Sequence, residues 1–183
     1  KVIMAMTLIT TNTSSNAATS SFTSGIDSTY KLYIFKFINI NPATNREALM
    51  FNGSIDGGSN YNVADSTAFF QAEHHQGDSA ASLAYQTGSD HALVTGFQNL
   101  TEYDAGGSFD ADHGSGGTLW LFNPSGTTYV KHFCSTFNTT SYDNYSANSF
   151  VGGYFKTASA IDAIQFKHNS GNFDGIIKMY GVG

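Results

Sequence analysis

The chain has 183 residues, only 12% of them charged, with 21 Ser, 19 Thr and 15 Asn. These small polar side chains compete for helix backbone hydrogen bonds and favour turns and strands, so the composition excludes a helix bundle and predicts a single all-β domain. The formal net charge is −6 and no run of basic residues occurs, which excludes a protein that wraps nucleic acid.

The first 21 residues predict a strand followed by an extended arm. Residues 2–9 form a short apolar stretch that Thr7 interrupts, which indicates a retained first strand rather than a signal peptide. Met4 and Met6 are both possible start residues. Residues 10–21 are almost all Thr, Ser, Asn and Ala, so we expect an extended arm that could lie across a neighbouring subunit, with the β-sandwich domain spanning residues 22–183.

Residues 29–40 carry the longest strand signal, rich in β-branched and aromatic side chains. Apolar side chains occupy both the even and the odd positions, whereas a strand of a solitary antiparallel sandwich is apolar on one face only. We therefore expect a loop or a second subunit to cover the other face. The expected interface residues are Tyr30, Leu32, Tyr33, Ile34, Phe35 and Phe37.

The rest of the chain predicts short strands separated by turn residues. Residues 118–137 read as a hairpin with a type I turn at Asn123-Pro-Ser-Gly126, and its return strand places Tyr129, Phe133 and Phe137 on one face, with Lys131 and Ser135 between them. Residues 61–64 read as a weaker strand, and residues 76–117 are the least regular part, with strands or a short helix inside. Eight to ten such strands predict a single jelly-roll-like antiparallel β-sandwich.

Two polar clusters are weak metal candidates. Imidazole and carboxylate groups suit a transition metal, but neighbouring strand residues face opposite ways, which separates the two histidines of the first cluster. The second cluster lies in a glycine-rich loop that could approach calcium, yet it lacks the glutamate of a full calcium loop. We expect solvated polar residues, with no metal and no cofactor. The clusters are Glu73, His74 and His75 near Asp78, and Asp110, Asp112 and His113.

Nothing in the sequence indicates an enzyme. No serine lies in a Gly-x-Ser-x-Gly context, and no phosphate loop or dinucleotide fingerprint occurs. His132 and Cys134 share a strand face, but both are expected to pack in the core or at an interface. With only three Glu residues, no carboxylate pair is singled out for glycoside hydrolysis.

A polar tract near residue 145 could bind a sugar. Tyr142, Asn144 and Tyr145 lie in an Asn- and Ser-rich segment, and tyrosine rings with nearby amides can stack on and hydrogen-bond to sugars. The alternative is that these tyrosines simply anchor a loop or an interface.

Four segments resemble small virion structural proteins of marine tailed bacteriophages, including phages of cyanobacteria and other abundant ocean bacteria. The likeness is strong at both ends and in the Trp120 hairpin, and weak through residues 76–117. It implies a virion component and carries over no catalytic residue. The segments are Ala5-Met-Thr-Leu-Ile-Thr, Ser21-Phe-Thr-Ser-Gly-Ile-Asp-Ser-Thr-Tyr, Gly153-Tyr-Phe-Lys-Thr-Ala-Ser-Ala-Ile-Asp-Ala-Ile-Gln-Phe-Lys and Gly171-Asn-Phe-Asp-Gly-Ile-Ile-Lys-Met-Tyr-Gly-Val.

Together these patterns predict a structural protein on the surface of a phage particle. We expect a capsid decoration or cement protein that forms a homotrimer and stabilises the particle through contacts between subunits and with the major capsid protein. Neither nucleic acid nor a membrane is an expected partner. The alternative is a tail or fibre-associated domain that binds glycans of the host surface.

Overall fold

The computed structural model describes residues 5–102, 113–141 and 143–183. Within these residues every regular element is a β-strand, which confirms the all-β prediction. The strands are β1 Met6–Ala17, β2 Ser20–Phe22, β3 Leu32–Pro42, β4 Leu49–Ser54, β5 Asp65–His75, β6 Ala81–Tyr85, β7 Ala92–Val94, β8 Gln98–Asn99, β9 Ser115–Phe122, β10 Lys131–Thr140, β11 Tyr145–Phe155, β12 Ala163–His168 and β13 Phe173–Val182.

The strands form a large sheet and a small sheet, and every pairing is antiparallel. The large sheet has the order β1-β13-β3-β9-β10-β11-β5-β6, with β7 also beside β5, and the small sheet has the order β2-β12-β4-β8. The chain alternates between the sheets from β1 to β5, and the first strands pair with the last ones in both sheets. This wrapping of the N-terminal strands around the C-terminal strands is the jelly-roll feature of the sandwich.

The core lies between the two sheets and is built mainly from phenylalanine. Phe166 of β12 is fully buried at its centre, and its ring lies 5.0 to 6.3 Å from four others. Most of these pairs meet edge to face, the arrangement that the ring quadrupole favours. The four neighbouring rings are those of Phe22, Phe35, Phe37 and Phe51.

Strand β3 contains a bulge that the simple even-odd alternation did not predict. Asn39 has a φ of 51°, and the register with β9 shifts between Phe37 and Ile40. A bulge places two successive side chains on one face, so Ile38 and Asn39 are both exposed and Ile40 is fully buried. Opposite it, Gly175 of β13 has a φ of 140°, and a Cβ there would meet the Asn39 carbonyl oxygen at 2.9 Å.

The N-terminal tract is extended, but it belongs to the sandwich. Strand β1 pairs along its length with β13, and β2 pairs with β12 of the small sheet. Asn12 ties the two strands together, because its side-chain amide donates to the Ser20 hydroxyl at 3.2 Å and to the Ser21 carbonyl at 2.9 Å. The expected arm is therefore corrected to two strands of the chain's own sheets, and the expected boundary after residue 21 falls inside β2.

The predicted hairpin is present as β9 and β10. The Gly126 amide donates to the Asn123 carbonyl at 3.1 Å, which closes the expected turn. Lys131, Phe133 and Phe137 all point into the core. The Lys131 ammonium donates to the carbonyl oxygens of residues 129, 157 and 158, and burial lowers its pKa.

The irregular middle of the chain adds short strands at the far edge of the large sheet and in the small sheet. Strands β6, β7 and β8 lie within the expected region, whereas residues 61–64 are not a strand. Every residue of β6 is exposed. Residues 103–112 lie outside the part of the chain that the structure describes.

Candidate functional site

The large sheet is covered by the small sheet on one side only, and we call its other side the outer face. Side chains that pair across the strands share this face, as Leu32 does with Phe122, Ile34 with Trp120, and Phe150 with Phe70. The residues of the outer face include Met6, Leu8, Leu32, Ile34, Lys36, Ile38, Phe70, Leu83, Tyr85, Thr118, Trp120, Phe122, His132, Cys134, Phe150, Tyr154, Ile176, Lys178, Tyr180 and Val182.

The outer face holds most of the exposed large apolar side chains of the described residues. Eleven such side chains are exposed, and seven of them lie on this face with 38% to 73% of their surface accessible. Strands with one face in water normally carry polar side chains at the positions that point to the water. So many exposed apolar side chains on one face are therefore unusual for an isolated subunit. The seven are Met6, Leu8, Ile38, Phe70, Leu83, Tyr85 and Phe122.

Aromatic rings on the outer face are ordered against their neighbours. Phe70 and Phe150 stack with ring centroids 4.9 Å apart and planes only 9° from parallel. The Lys36 ammonium lies 5.9 Å from the Trp120 ring centroid and donates to the Thr118 hydroxyl at 2.8 Å. The face is therefore pre-organised, which lowers the entropy that binding would cost.

The structure divides the six expected interface residues between two locations. Leu32 and Ile34 lie on the outer face, in agreement with the expectation of a second apolar face, although Leu32 is half-buried and Ile34 is only 9% exposed. Tyr33, Phe35 and Phe37 lie fully or almost fully buried in the core of the chain itself, because side chains alternate along a strand. These three have no surface left for a partner, so that part of the interface prediction is corrected.

Tyr30 is half-buried and packs against the edge of the core. Its ring meets that of Tyr33 edge to face at 6.0 Å and covers Gly181, where a Cβ atom would collide with it. The Tyr33 hydroxyl in turn donates to the Asp27 carbonyl at 3.0 Å and accepts from the Asp27 amide at 2.9 Å. These contacts fix the turn before β3.

The residues of the first metal candidate each contact a different partner and do not converge on one point. His74 contacts Asp78 through Nε2 at 3.1 Å, whereas the His75 Nδ1 accepts from the Gly77 amide at 3.1 Å. Glu73 accepts from the Ser82 hydroxyl at 3.0 Å. Among the described residues, no three His, Cys, Asp or Glu side chains are close enough together to hold a metal ion.

The second metal candidate is only partly described. Asp110 and Asp112 lie outside the described residues, and so does Tyr142 of the expected sugar site. His113 precedes β9, and its carbonyl accepts from the Asn41 side-chain amide at 2.6 Å. An open groove of about 850 Å³ runs beside it, under the β3 bulge. The groove is lined by Phe37, Ile38, Asn39, Asn41, His113, Gly114, Ser115, Gly116, Asn138, Thr140 and Asp174.

The other two expected sugar-binding residues lie at a tight turn between β10 and β11. Asn144 has a φ of 65°, and the Ser141 hydroxyl accepts from the Tyr145 amide at 3.0 Å. The Tyr145 ring meets the His75 ring at 4.9 Å and flanks a polar cleft of about 290 Å³. The cleft is lined by Gln71, Glu73, Gln86, Glu102, Ser141, Asp143 and Tyr145.

Cys134 does not have the environment of a reactive thiol. It lies on the outer face between Trp120 and Gly152, and burial raises its pKa, so the nucleophilic thiolate is disfavoured. His132 is exposed on the same face, and its ring lies 5.9 Å from that of Tyr154. Both residues contribute surface to the outer face.

Sequence reasoning missed most of the outer face. It identified the second apolar face of β3 but not its continuation across β1, β5, β6 and β9. The signal was the alternate apolar residues at positions 6 and 8, 70 and 72, 83 and 85, and 120 and 122. These separate apolar pairs could be assigned to one face only once the neighbouring strands were known.

Comparison with protein-family models, with curated proteins and with solved structures finds no match. Among the described residues, no helix has the length and apolar character needed to cross a membrane.

Proposed function

We propose that this protein is a structural component of a phage virion, a capsid decoration or cement protein that binds the particle surface through its outer face. The observation that carries the proposal is the outer face of the large sheet, whose large apolar side chains the described part of the chain leaves largely exposed. The resemblance of both chain ends to virion proteins of marine phages supports the location. The function is mechanical: each bound copy adds buried contact area that resists separation of the capsid subunits.

The size of the outer face suits a stable protein contact. Eight strands spaced about 4.8 Å apart span roughly 34 Å, and four rows of outward side chains span roughly 20 Å. The resulting area of roughly 700 Å² is close to the roughly 800 Å² that each partner buries in a typical specific interface.

Self-association as a homotrimer is part of the proposal, and the sheet edges support it. Strands β1 and β6 form the two ends of the large sheet, and neither contains a charged residue or a proline. Natural edge strands usually carry such residues to prevent pairing with other chains. Contact between β1 of one copy and β6 of the next is heterologous, so it closes into a ring when the rotation allows.

The docking role predicts that polar substitutions on the outer face remove the protein from particles without unfolding it. In the triple variant Leu8→Ser, Phe70→Ser and Phe122→Ser, we expect the copy number per particle to fall by roughly tenfold or more, since exposed apolar anchors dominate binding. Quantitative mass spectrometry of purified particles measures the copy number, and thermal unfolding checks the fold.

The matched control changes three exposed apolar residues that lie elsewhere, as Ile55→Ser, Leu93→Ser and Tyr129→Ser. This variant is expected to keep the wild-type copy number. Full incorporation of the outer-face variant would contradict the docking role. Light scattering of the isolated protein tests the trimer, and a monomer of 19.6 kDa would contradict it.

A tail or fibre-associated domain that binds host glycans is the second candidate, and the cleft beside Tyr145 favours it. The cleft combines an aromatic edge with amide and carboxylate groups, the side chains that stack on and hydrogen-bond to sugars. On this hypothesis Tyr145→Ala weakens binding to a glycan array by about tenfold, equivalent to about 1.4 kcal/mol, whereas Tyr129→Ala does not. Absence of any array binding by the wild-type protein would remove this candidate.

A further inference from the structure

We infer that the partner of the outer face is a different protein chain whose apolar surface presents carboxylates to Lys36 and Lys178, and not the same face of a second copy. The inference rests on the proposed docking role of the outer face and adds the chemistry of its partner. It follows from where the charges of this chain lie.

Two lysines lie on the outer face, on the second and third of its eight strands counted from β1. Lys36 of β3 and Lys178 of β13 pair directly across the strands, so their side chains leave the sheet side by side. Lys36 is held in place, since its ammonium donates to the Thr118 hydroxyl and lies over the Trp120 ring. Both lysines are partly buried by their apolar neighbours. The face therefore presents two adjacent positive charges, flanked by Thr11 and Thr118 on the neighbouring strands and by apolar side chains along β3 and β13.

Carboxylates are confined to the margins of this face. The chain has 14 Asp and Glu against eight Lys and Arg, yet the outward positions around the two lysines carry none in the described strands. Asp174 lies at the far end of β13 and accepts from the Asn16 amide at 2.7 Å. Asp90 lies beyond β6 and accepts from the Tyr85 hydroxyl at 2.7 Å. The part of the face formed by β13 and β3 is thus positive on a chain that is negative overall.

This charge pattern decides between two kinds of partner. If two copies packed outer face against outer face, four ammonium groups would enter one dry layer with no carboxylate among them. Burying unpaired charge is strongly unfavourable because the ions lose their hydration, so this arrangement is disfavoured. A partner surface with Asp or Glu opposite Lys36 and Lys178 removes that cost and steers the encounter electrostatically.

The isolated protein supplies the first test, because Trp120 is the only tryptophan and lies beside Lys36. We expect iodide to quench its fluorescence more strongly than caesium, and the order to reverse in the variant Lys36→Glu with Lys178→Glu. We also expect its emission and its access to acrylamide to stay constant as protein concentration rises. Shielding of Trp120 with increasing concentration would overturn the inference, since a second copy would then occupy the face.

The second test uses purified particles treated with a carbodiimide, which joins lysine ammonium groups directly to carboxylates. Cross-links from Lys36 or Lys178 to Asp or Glu of another protein are expected, and cross-links only to copies of this chain would overturn the inference. Binding in solution can also be measured with capsid shells that lack this protein. The double variant Lys36→Glu with Lys178→Glu is expected to bind these shells roughly a hundredfold more weakly than the wild type.

The charge-matched control is Lys31→Glu with Lys167→Glu, because Lys31 precedes β3 and Lys167 belongs to the small sheet. It is expected to bind shells as the wild type does, and an equal loss in both variants would overturn the inference. Particles that lack this chain altogether would instead contradict the proposed virion role. In that case the quenching and concentration measurements still decide whether the face is positive and free of a second copy.

Discussion

The Phe166→Ala variant is expected to lose about 4 kcal/mol of the free energy of unfolding, because it removes the side chain at the centre of the core. Phe166 is fully buried and touches the rings of four other phenylalanines across both sheets. The loss combines the transfer energy of the ring with the cost of the cavity and of the broken edge-to-face pairs. Since domains of this kind are stable by only about 5 to 15 kcal/mol, the change is a large part of the total.

Phe122→Ala is the matched control for this prediction. Phe122 is the same residue type, but it lies on the outer face with 41% of its surface exposed. Its replacement is expected to cost less than about 1 kcal/mol in unfolding, in keeping with exposed positions. Urea unfolding of the two variants measures the difference. Equal losses would show that the outer face is part of a folded core rather than a binding surface.

The wild-type protein is expected to lose about 3 kcal/mol of stability through His168 as the pH falls from about 6.5 to about 4. Burial lowers the pKa of His168 from 6.5 to about 4, so the folded form keeps the ring neutral while the unfolded chain takes up a proton. The stability from this residue is therefore present above pH 6.5 and lost as the pH falls through the folded pKa. One pKa unit corresponds to about 1.4 kcal/mol, which sets the size of the loss.

Burial raises the pKa of the Glu47 and Asp65 carboxyls, so the folded form takes up their protons more readily than the unfolded chain does. Their contribution to the free energy of unfolding therefore increases as the pH falls, opposite to that of His168. The variant His168→Gln separates the two effects, since Gln is neutral at every pH. Its stability relative to the wild type is expected to improve by about 3 kcal/mol between pH 7 and pH 4. Chemical denaturation at each pH measures this difference.

The exposed His132 provides the control, as His132→Gln. This variant is expected to follow the wild-type pH dependence. If the curves of the wild type and of His168→Gln stayed parallel from pH 7 to pH 4, the neutral burial of His168 would be contradicted. The His168 ring is positioned by donation from its Nδ1 to the Glu47 carbonyl at 3.0 Å, a contact that partly offsets the lowering of the pKa by burial.

Local patterns predicted the elements whose signals lie within a few residues. The β9–β10 hairpin was predictable because the turn residues and the alternation of Lys131, Phe133 and Phe137 are all read within one stretch of chain. The β3 bulge was not predictable, since it depends on Gly175 lying opposite Asn39. One extra residue in a strand reverses the face of every later side chain. Ile40 follows the bulge and therefore lies in the core instead of on the outer face.

The structure of the N-terminal tract was also not predictable from local sequence. Its Thr, Ser and Asn residues bury little, so their composition predicts an arm or a loop equally well. The structure makes it strand β1 because β13 offers a backbone edge, and a backbone edge pairs with any side chains that tolerate an extended conformation. Composition alone does not record where such an edge lies.

By itself, the sequence determined that this is an all-β protein with more apolar strand surface than one core needs, because strand period and composition are local properties. Only the tertiary structure decided which apolar residues are core and which are surface. Tyr33, Phe35 and Phe37 lie in the core, while Leu32 and Ile34 lie on the outer face beside residues from distant strands. The physical reason is that a sheet face is assembled from strand neighbours, and strand neighbours are set by backbone pairing over the whole chain.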